Sequence, residues 1–369
     1  MFRDEADARA MIKQYCTSAT RAETDFLISR LRPQFWIEPK ISQAELRGGT
    51  RFGGAPDLPK DLAWPLRPPA LHAKAQIDKM VQFRKSDSWL ADHMLRELPY
   101  EFIAQINLSE AARFPQINEG LPQSGRLLFF WDGAIGPYGG GGGADCRVIW
   151  DDTPARDLTM AAIPPVFDEL ERAWSEAARA DLPDTIKTMR DAGIDEATIA
   201  EISESIRVEM EKSPAKKPFV YPRRAMQLTP ILRLPHTHSL EAVQDTELER
   251  LLEKSDIAEC YRILTSRDEG PFIKQDSYRR LHRFLGSPDP EQDDPRYNAI
   301  DTTGYPEGPW SAATMRDAHP KAAQWRLLLQ IEVGDLAMLG GQGTVYFIIH
   351  NNDLARGDFS RVHAYYQQT

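Results

Sequence analysis

Two short segments carry the same charged residues at the same spacing: Arg51-Phe52-Gly53-Gly54-Ala55-Pro56-Asp57 and Arg283-Phe284-Leu285-Gly286-Ser287-Pro288-Asp289. A guanidinium and a carboxylate so placed can pair with each other and hold the turn, or line a groove and hold a ligand through charge and hydrogen bonds. Downstream of each segment a glutamine interrupts an apolar run, as Phe102-Ile103-Ala104-Gln105-Ile106-Asn107-Leu108 and Leu327-Leu328-Leu329-Gln330-Ile331-Glu332-Val333. A buried side-chain amide must be hydrogen-bonded, so Gln105 and Gln330 are expected to bond either a turn or a ligand. Arg51, Asp57, Trp64, Gln105, Asn107, Arg283, Asp289 and Gln330 therefore form the candidate set for binding a ligand or partner.

No catalytic residue emerges. The chain has no G-x-S-x-G elbow, H-E-x-x-H helix or G-x-G-x-x-G fingerprint. The glycine run 139–143 lacks the Lys-Ser or Lys-Thr of a phosphate loop and reads as a hairpin tip. Among the eight histidines only His236-Thr237-His238 has a metal-like spacing, and two ligands fall short of a zinc site, so neither metal nor cofactor is expected. Cys16, Cys146 and Cys260 show no C-x-x-C spacing and are read as free, reduced thiols, with Cys260 a core residue of a helix. The acid pairs Asp151-Asp152 and Asp293-Asp294 lie in turn-rich surroundings and are expected to be solvated.

Elements must position these residues. Apolar spacings of three and four predict one or two helices between Asp4 and Leu31. Aromatic and β-branched runs predict strands at 100–108, 125–131, 146–150, 225–235, 325–333, 343–349 and 362–366. A helical stretch is predicted from 71 to 98, another from 240 to 264. Between Pro164-Pro165 and Ser213-Pro214 the pattern is helical, with Gly193 closing one helix and Asp195 capping the next, whose Ile199, Ile202, Ile206 and Met210 form one apolar stripe.

The Arg-Phe-x-Gly-x-Pro-Asp turn, the Gln-Ile strand and a glycine-led aromatic strand recur in the same order, which reads as an internal duplication. The expected organisation is a helical lead (1–49), a first half (50–163), a helical insertion (164–217) and a second half (218–369). A pseudo-twofold axis would make Arg51 equivalent to Arg283 and Gln105 to Gln330.

With 41% hydrophobic residues over 369 positions the chain can fill a real core. Its formal charge of −10 repels phosphate backbones, so nucleic acid is not an expected partner, while a cationic protein would suit it. No apolar run approaches the roughly 20 residues of a membrane span, and the acidic start Met1-Phe2-Arg3-Asp4-Glu5 is unlike a secretory leader; a cytoplasmic protein without membrane partners is expected.

The stretch 50–65, with Gly53-Gly54-Ala55-Pro56-Asp57-Leu58-Pro59 and Trp64-Pro65, resembles the opening signature of the YwqG-like family, a bacterial domain family of unknown function. Leu121-Pro122, Leu328-Leu329-Gln330-Ile331, Val345-Tyr346-Phe347-Ile348 and Asp358-Phe359-Ser360-Arg361-Val362 extend the likeness to the C-terminus. Where family members often carry Trp-Gly-Asp, this chain has Leu339-Gly340-Gly341. The resemblance implies an α+β fold rich in antiparallel sheet and no established catalytic residues. Its association with toxin and immunity genes implies protein binding. The expected function is thus a non-enzymatic protein-binding protein, with a toxin-neutralising immunity protein as the specific form. The alternative is a small-ligand binder or hydrolase using the cleft between the halves.

Overall fold

The run Leu127-Leu128-Phe129-Phe130-Trp131 is apolar at every position, and a strand can be so only where both of its faces are covered. The structure, a computed structural model, describes residues 1–41, 47–70, 73–74, 77, 85–118, 120–137, 144–212, 219–266, 282–301, 310–334 and 343–368. It shows an α+β fold organised on a ten-stranded antiparallel sheet. Counting β1 (Arg32–Pro39), which precedes residue 50, with the first half, five strands come from it: β1, β2 (Arg51–Phe52), β3 (Glu101–Asn107), β4 (Arg126–Trp131) and β5 (Cys146–Asp151). Five come from the second: β6 (Arg224–Arg233), β7 (Arg283–Phe284), β8 (Trp325–Glu332), β9 (Thr344–His350) and β10 (His363–Gln367).

Their order across the sheet is β10-β9-β8-β7-β1-β6-β2-β3-β4-β5, and exchanging the halves leaves it unchanged. Each half lends its first strand to the other, because β1 pairs with β7 while β6 pairs with β2. The duplication extends to irregularities. Ile103 on β3 and Leu328 on β8 are each an extra residue between paired positions, and their carbonyls accept the N–H groups of Gly53 and Leu285, both at 3.0 Å.

Alternate residues of these strands share a face. Phe35, Phe52, Phe129, Phe284, Leu329 and Phe347 belong to one continuous core that spans both halves. Phe129 on β4 and Phe347 on β9 stand near opposite ends of the strand order, yet their rings are 5.2 Å apart, so the sheet curls nearly into a barrel around this core. On the outer face Leu128 and Phe130 are covered by Leu58, Tyr100 and Phe102, which explains the unbroken apolar run of β4.

Helices α1 (Glu5–Tyr15) and α2 (Arg21–Ser29) precede β1, and α3 (Lys85–Leu95) and the one-turn α4 (Leu108–Ala111) lie within the first half. The insertion is a helix pair, α5 (Val166–Asp191) and α6 (Glu196–Lys212), in which Asp195 accepts the N–H groups of Ala197 (3.1 Å) and Thr198 (2.9 Å). Phe167 and Leu170 of α5 are buried against the domain with Leu90 and Met94 of α3. Asp181 of α5 accepts the Ser86 N–H at 2.8 Å, so α5 is packed on the domain as far as this residue, while 189–198 are mostly exposed. Of its apolar stripe, Ile199 is buried and Ile202 and Ile206 are half-buried.

Several readings of the sequence change. The residues of β1, which fell in the helical lead, form a central strand, because β6 and β7 of the other half supply its neighbours. The predicted helix 240–264 is three: α7 (Leu240–Val243), α8 (Thr246–Leu252) and α9 (Ser255–Thr265). The cysteines are not all free thiols. Cys16, at the end of α1, and Cys260, in α9, form a disulfide with Cα atoms 5.3 Å apart, and Cys146 remains a buried thiol. That link needs the docking of elements 244 positions apart, which spacing cannot reveal. Of the acid pairs, Asp294 is buried and accepts the Leu240 N–H at 2.9 Å, and Asp151 is bonded to Arg126. The glycine run 139–143, Leu339-Gly340-Gly341 and part of the predicted 71–98 helix lie outside the described residues. The described residues of the second half also include α10 (Ala312–Ala322) and α11 (Asn351–Arg356).

Candidate functional site

Six of the eight sequence candidates come together as two trios on the outer face. Arg51 stands opposite Gln105, and Arg283 opposite Gln330, in the same register of the two halves. The turn then folds its aspartate back over the strand. In the first trio Arg51 Nη1 donates to Asp57 Oδ2 at 2.6 Å, and the Asp57 N–H donates to Gln105 Oε1 at 3.1 Å. In the second, Arg283 Nη2 donates to Asp289 Oδ2 at 3.0 Å, and the Asp289 N–H to Gln330 Oε1 at 2.9 Å. The copies differ in the remaining donor to the carboxylate. Asp57 accepts the Gly48 N–H at 2.7 Å, whereas Asp289 accepts both η nitrogens of Arg233, at 2.8 and 3.0 Å.

All six side chains are buried, and two strands, β1 and β6, separate the trios, so they do not face a common groove. Burial alone would raise the Asp57 carboxyl, but the Arg51 charge and the bonds from Gly48 and Gln105 bring it below its usual range. These groups fasten turns to strands. Trp64 and Asn107 lie apart from them: Trp64 packs between Phe130 and Phe167 and donates to the Tyr100 carbonyl at 2.8 Å, and Asn107 caps α4 through the Ser109 N–H at 3.0 Å.

A second polar cluster belongs to the first half only. Beyond the end of β4, Asp132 accepts from Arg67 Nε at 2.5 Å, lies 3.1 Å from His93 Nε2, and accepts the Ala134 and Ile135 N–H groups at 3.0 and 3.2 Å. Burial opposes its ionisation, but the charges of His93 and Arg67 and these bonds outweigh it and hold the carboxyl down at about 2. Two further acids carry the burden of that charge. Burial and then Asp132 push Glu101 well above the carboxylate range, and the same two causes push Asp145 up to about 6. The Gly133 N–H donates to Glu101 Oε1 at 3.0 Å.

The family model for a domain of unknown function, DUF1963, matches residues 50–367. The chain belongs to this family. No curated protein matches it. In this DUF1963 chain β1 lies upstream of the matched residues, although it is integral to the duplicated sheet.

Among the described residues, the surface of this DUF1963 chain carries pockets at the junctions of its parts. One, of about 370 Å³, is lined by Trp89 and Leu90 of α3, Gly133 and Ala134 behind β4, Trp174 of α5 and Tyr366 of β10. It joins the insertion, the first half and the last strand of the second. Its back wall is the acidic cluster, since Trp89 packs on His93 with rings 5.0 Å apart and Gly133 bonds Glu101. Another, of about 390 Å³, lies where residues following α4 meet the Leu285-Gly286-Ser287 turn and the start of β8. Among the described residues no group of three or more His, Cys, Asp or Glu could hold a metal ion, and no helix is long and apolar enough to cross a membrane.

Sequence reasoning missed Arg67, His93, Glu101, Asp132 and Asp145. The available signal was a charged residue at the head of an apolar strand, Glu101, and another just past the all-apolar β4, Asp132. Asp145 offers a direct check on this cluster. Its folded pKa of about 6 lies above the ordinary 3.8, so the native state holds the proton more tightly than the unfolded chain. That contribution is intact below pH 3.8 and lost as pH rises through 6, an amount on the order of 3 kcal/mol for a shift of about two units. Asp145→Asn is expected to remove this slope from urea-unfolding free energies measured between pH 4 and 7. Asp132 moves oppositely, its contribution falling only as pH drops from 3.8 toward 2.

Proposed function

We propose that this chain is a non-enzymatic protein-binding protein, and that its partner seats an anchor side chain in the pocket lined by Trp89, Trp174 and Tyr366. The observation that carries the reading is the composition of that pocket: large amphipathic rings from three separate parts of the chain converge on one concavity. Trp and Tyr in such pockets supply much of the energy of protein interfaces, because they bury large areas with little loss of side-chain freedom. The formal charge of −10 favours a cationic partner by steering its approach. The YwqG-like resemblance supplies the partner class, a bacterial toxin that this protein would neutralise in the cytoplasm. There the Cys16–Cys260 link is shielded by burial of both residues.

Native mass spectrometry of the tagged protein isolated from its own host tests the reading. Wild type should carry a stoichiometric protein, and Trp174→Ala should lose it by tenfold or more while keeping its circular dichroism spectrum and melting cooperativity. Recovery of no stoichiometric protein, or equal recovery by the variant, would overturn it. Protection against a neighbouring toxin on co-expression would decide the immunity form.

A further inference from the structure

The cleft between the halves has a different chemistry from the aromatic pocket. We propose that it is a small-molecule site for an organic anion with an apolar body. Its volume of about 390 Å³ falls in the range of small-ligand pockets, which favour junctions between structural units. Gln116 and Ile117 of the first half face Leu285, Leu327 and Leu328 of the second across it, so its wall combines apolar side chains with charged and polar ones.

The charged lining is arginine-rich in a protein that is acidic overall. Arg32, Arg296 and Arg326 meet a single carboxylate, Glu241. Arg296 is fully engaged: its η nitrogens bond Glu241 at 2.8 and 2.7 Å, and Nε and Nη2 bond Asp294 at 2.9 and 2.7 Å. It shares its one charge between Glu241 and Asp294 and fixes the cleft wall. Arg326 is oriented by Nε, which donates to Asn351 Oδ1 at 2.8 Å. Arg32 donates only to the carbonyl of its neighbour Leu31, at 3.2 Å, and has no carboxylate within ion-pair distance among the described residues. A guanidinium without a carboxylate partner among the described residues, in the lining of a cleft that also presents leucines, suits a carboxylate or phosphate head with the rest of the molecule against those leucines.

A second observation converges on the same wall. Leu285 is the one non-glycine residue at positive φ (62°) among the described residues, while its duplicate position holds Gly53 at φ 59°. A leucine in the left-handed region is strained, and such strain in ordered structure concentrates at ligand sites. Here it places an isobutyl group in the cleft lining where the first copy has none.

Isothermal titration of the full chain with octanoate, phenyl phosphate and, as the uncharged control, octanol tests the site. At least one anion should bind at least tenfold more tightly than octanol, and Arg32→Gln, a change at an exposed residue, should weaken that anion tenfold or more. Octanoate alone would identify a carboxylate head, phenyl phosphate alone a phosphate head. Binding by neither anion, no preference over octanol, or a smaller loss in Arg32→Gln would overturn the proposal. Trp174→Ala should leave the anion affinity unchanged, so failure here and failure of the protein-binding reading are separable.

Discussion

Asp289→Ala should bring this protein close to its unfolding threshold. The carboxylate is buried, at 1% exposure, and accepts from two guanidiniums, Arg283 and Arg233, that are themselves 2% and 7% exposed. Removing one partner of a buried ion pair costs about 3–5 kcal/mol because the remaining charge is stranded away from water. Here two guanidiniums lose a shared carboxylate at once, although Arg233 keeps the Thr265 carbonyl at 2.7 Å, so the loss should fall within that range, against a total stability of about 5–15 kcal/mol for a typical chain. Asp57→Ala should cost less. Asp57 has a single guanidinium partner, so one cation rather than two loses its carboxylate. Urea unfolding would give the order, and a double variant Asp289→Ala/Arg233→Met should recover part of the loss, the coupling appearing in the mutant cycle. A loss below about 1 kcal/mol for Asp289→Ala would mean that the carboxylate does not hold these cations.

The trio behind that prediction was legible in the sequence because its members are local. Arg and Asp lie within one turn, and each glutamine sits in a strand whose apolar run announces it. The duplication was legible for the same reason: three recurring elements kept their order and chemistry. What the sequence concealed depends on contacts between distant segments. Strand β1 is bounded by Pro33 and Pro39 and pairs Phe35 with Pro230, a composition that argues against a central strand. It becomes central because each half lends its first strand to the other. Arg67, His93, Glu101, Asp132 and Asp145 have no mutual spacing that reads as a motif, and only the curl of the sheet and the packing of α3 assemble them. The cleft is equally non-local, with Arg32 ahead of the first turn and Arg326 in the second half. Meanwhile the residues with the most conspicuous chemistry, Arg51, Asp57, Arg283 and Asp289, are buried and paired with one another within their turns.

Gly53→Ala tests the exchange of first strands, and its expected cost is at least about 2 kcal/mol. Two penalties add. The residue sits at φ 59°, where a Cβ costs about 1–2 kcal/mol. That Cβ would also lie 2.4 Å from the Pro222 carbonyl oxygen and 2.6 Å from that of Tyr221, both backbone atoms, and overpacking of this kind costs about 1–3 kcal/mol. The chain cannot retreat cheaply, because Tyr221 and Pro222 lead directly into β6, and the Gly54 N–H is bonded to the Tyr221 carbonyl at 2.8 Å. Any relief must shift the strand that the second half has lent to the first. At the duplicate position the balance differs. Leu285→Gly removes the left-handed strain but gives up a buried leucine in contact with the shared core, so the variant should lose stability by packing while its backbone relaxes. The two substitutions thus act through opposite terms at equivalent sites. If urea unfolding found Gly53→Ala within about 1 kcal/mol of wild type, the lent strand could not lie against the first turn, and the exchanged arrangement of the halves would have to be abandoned.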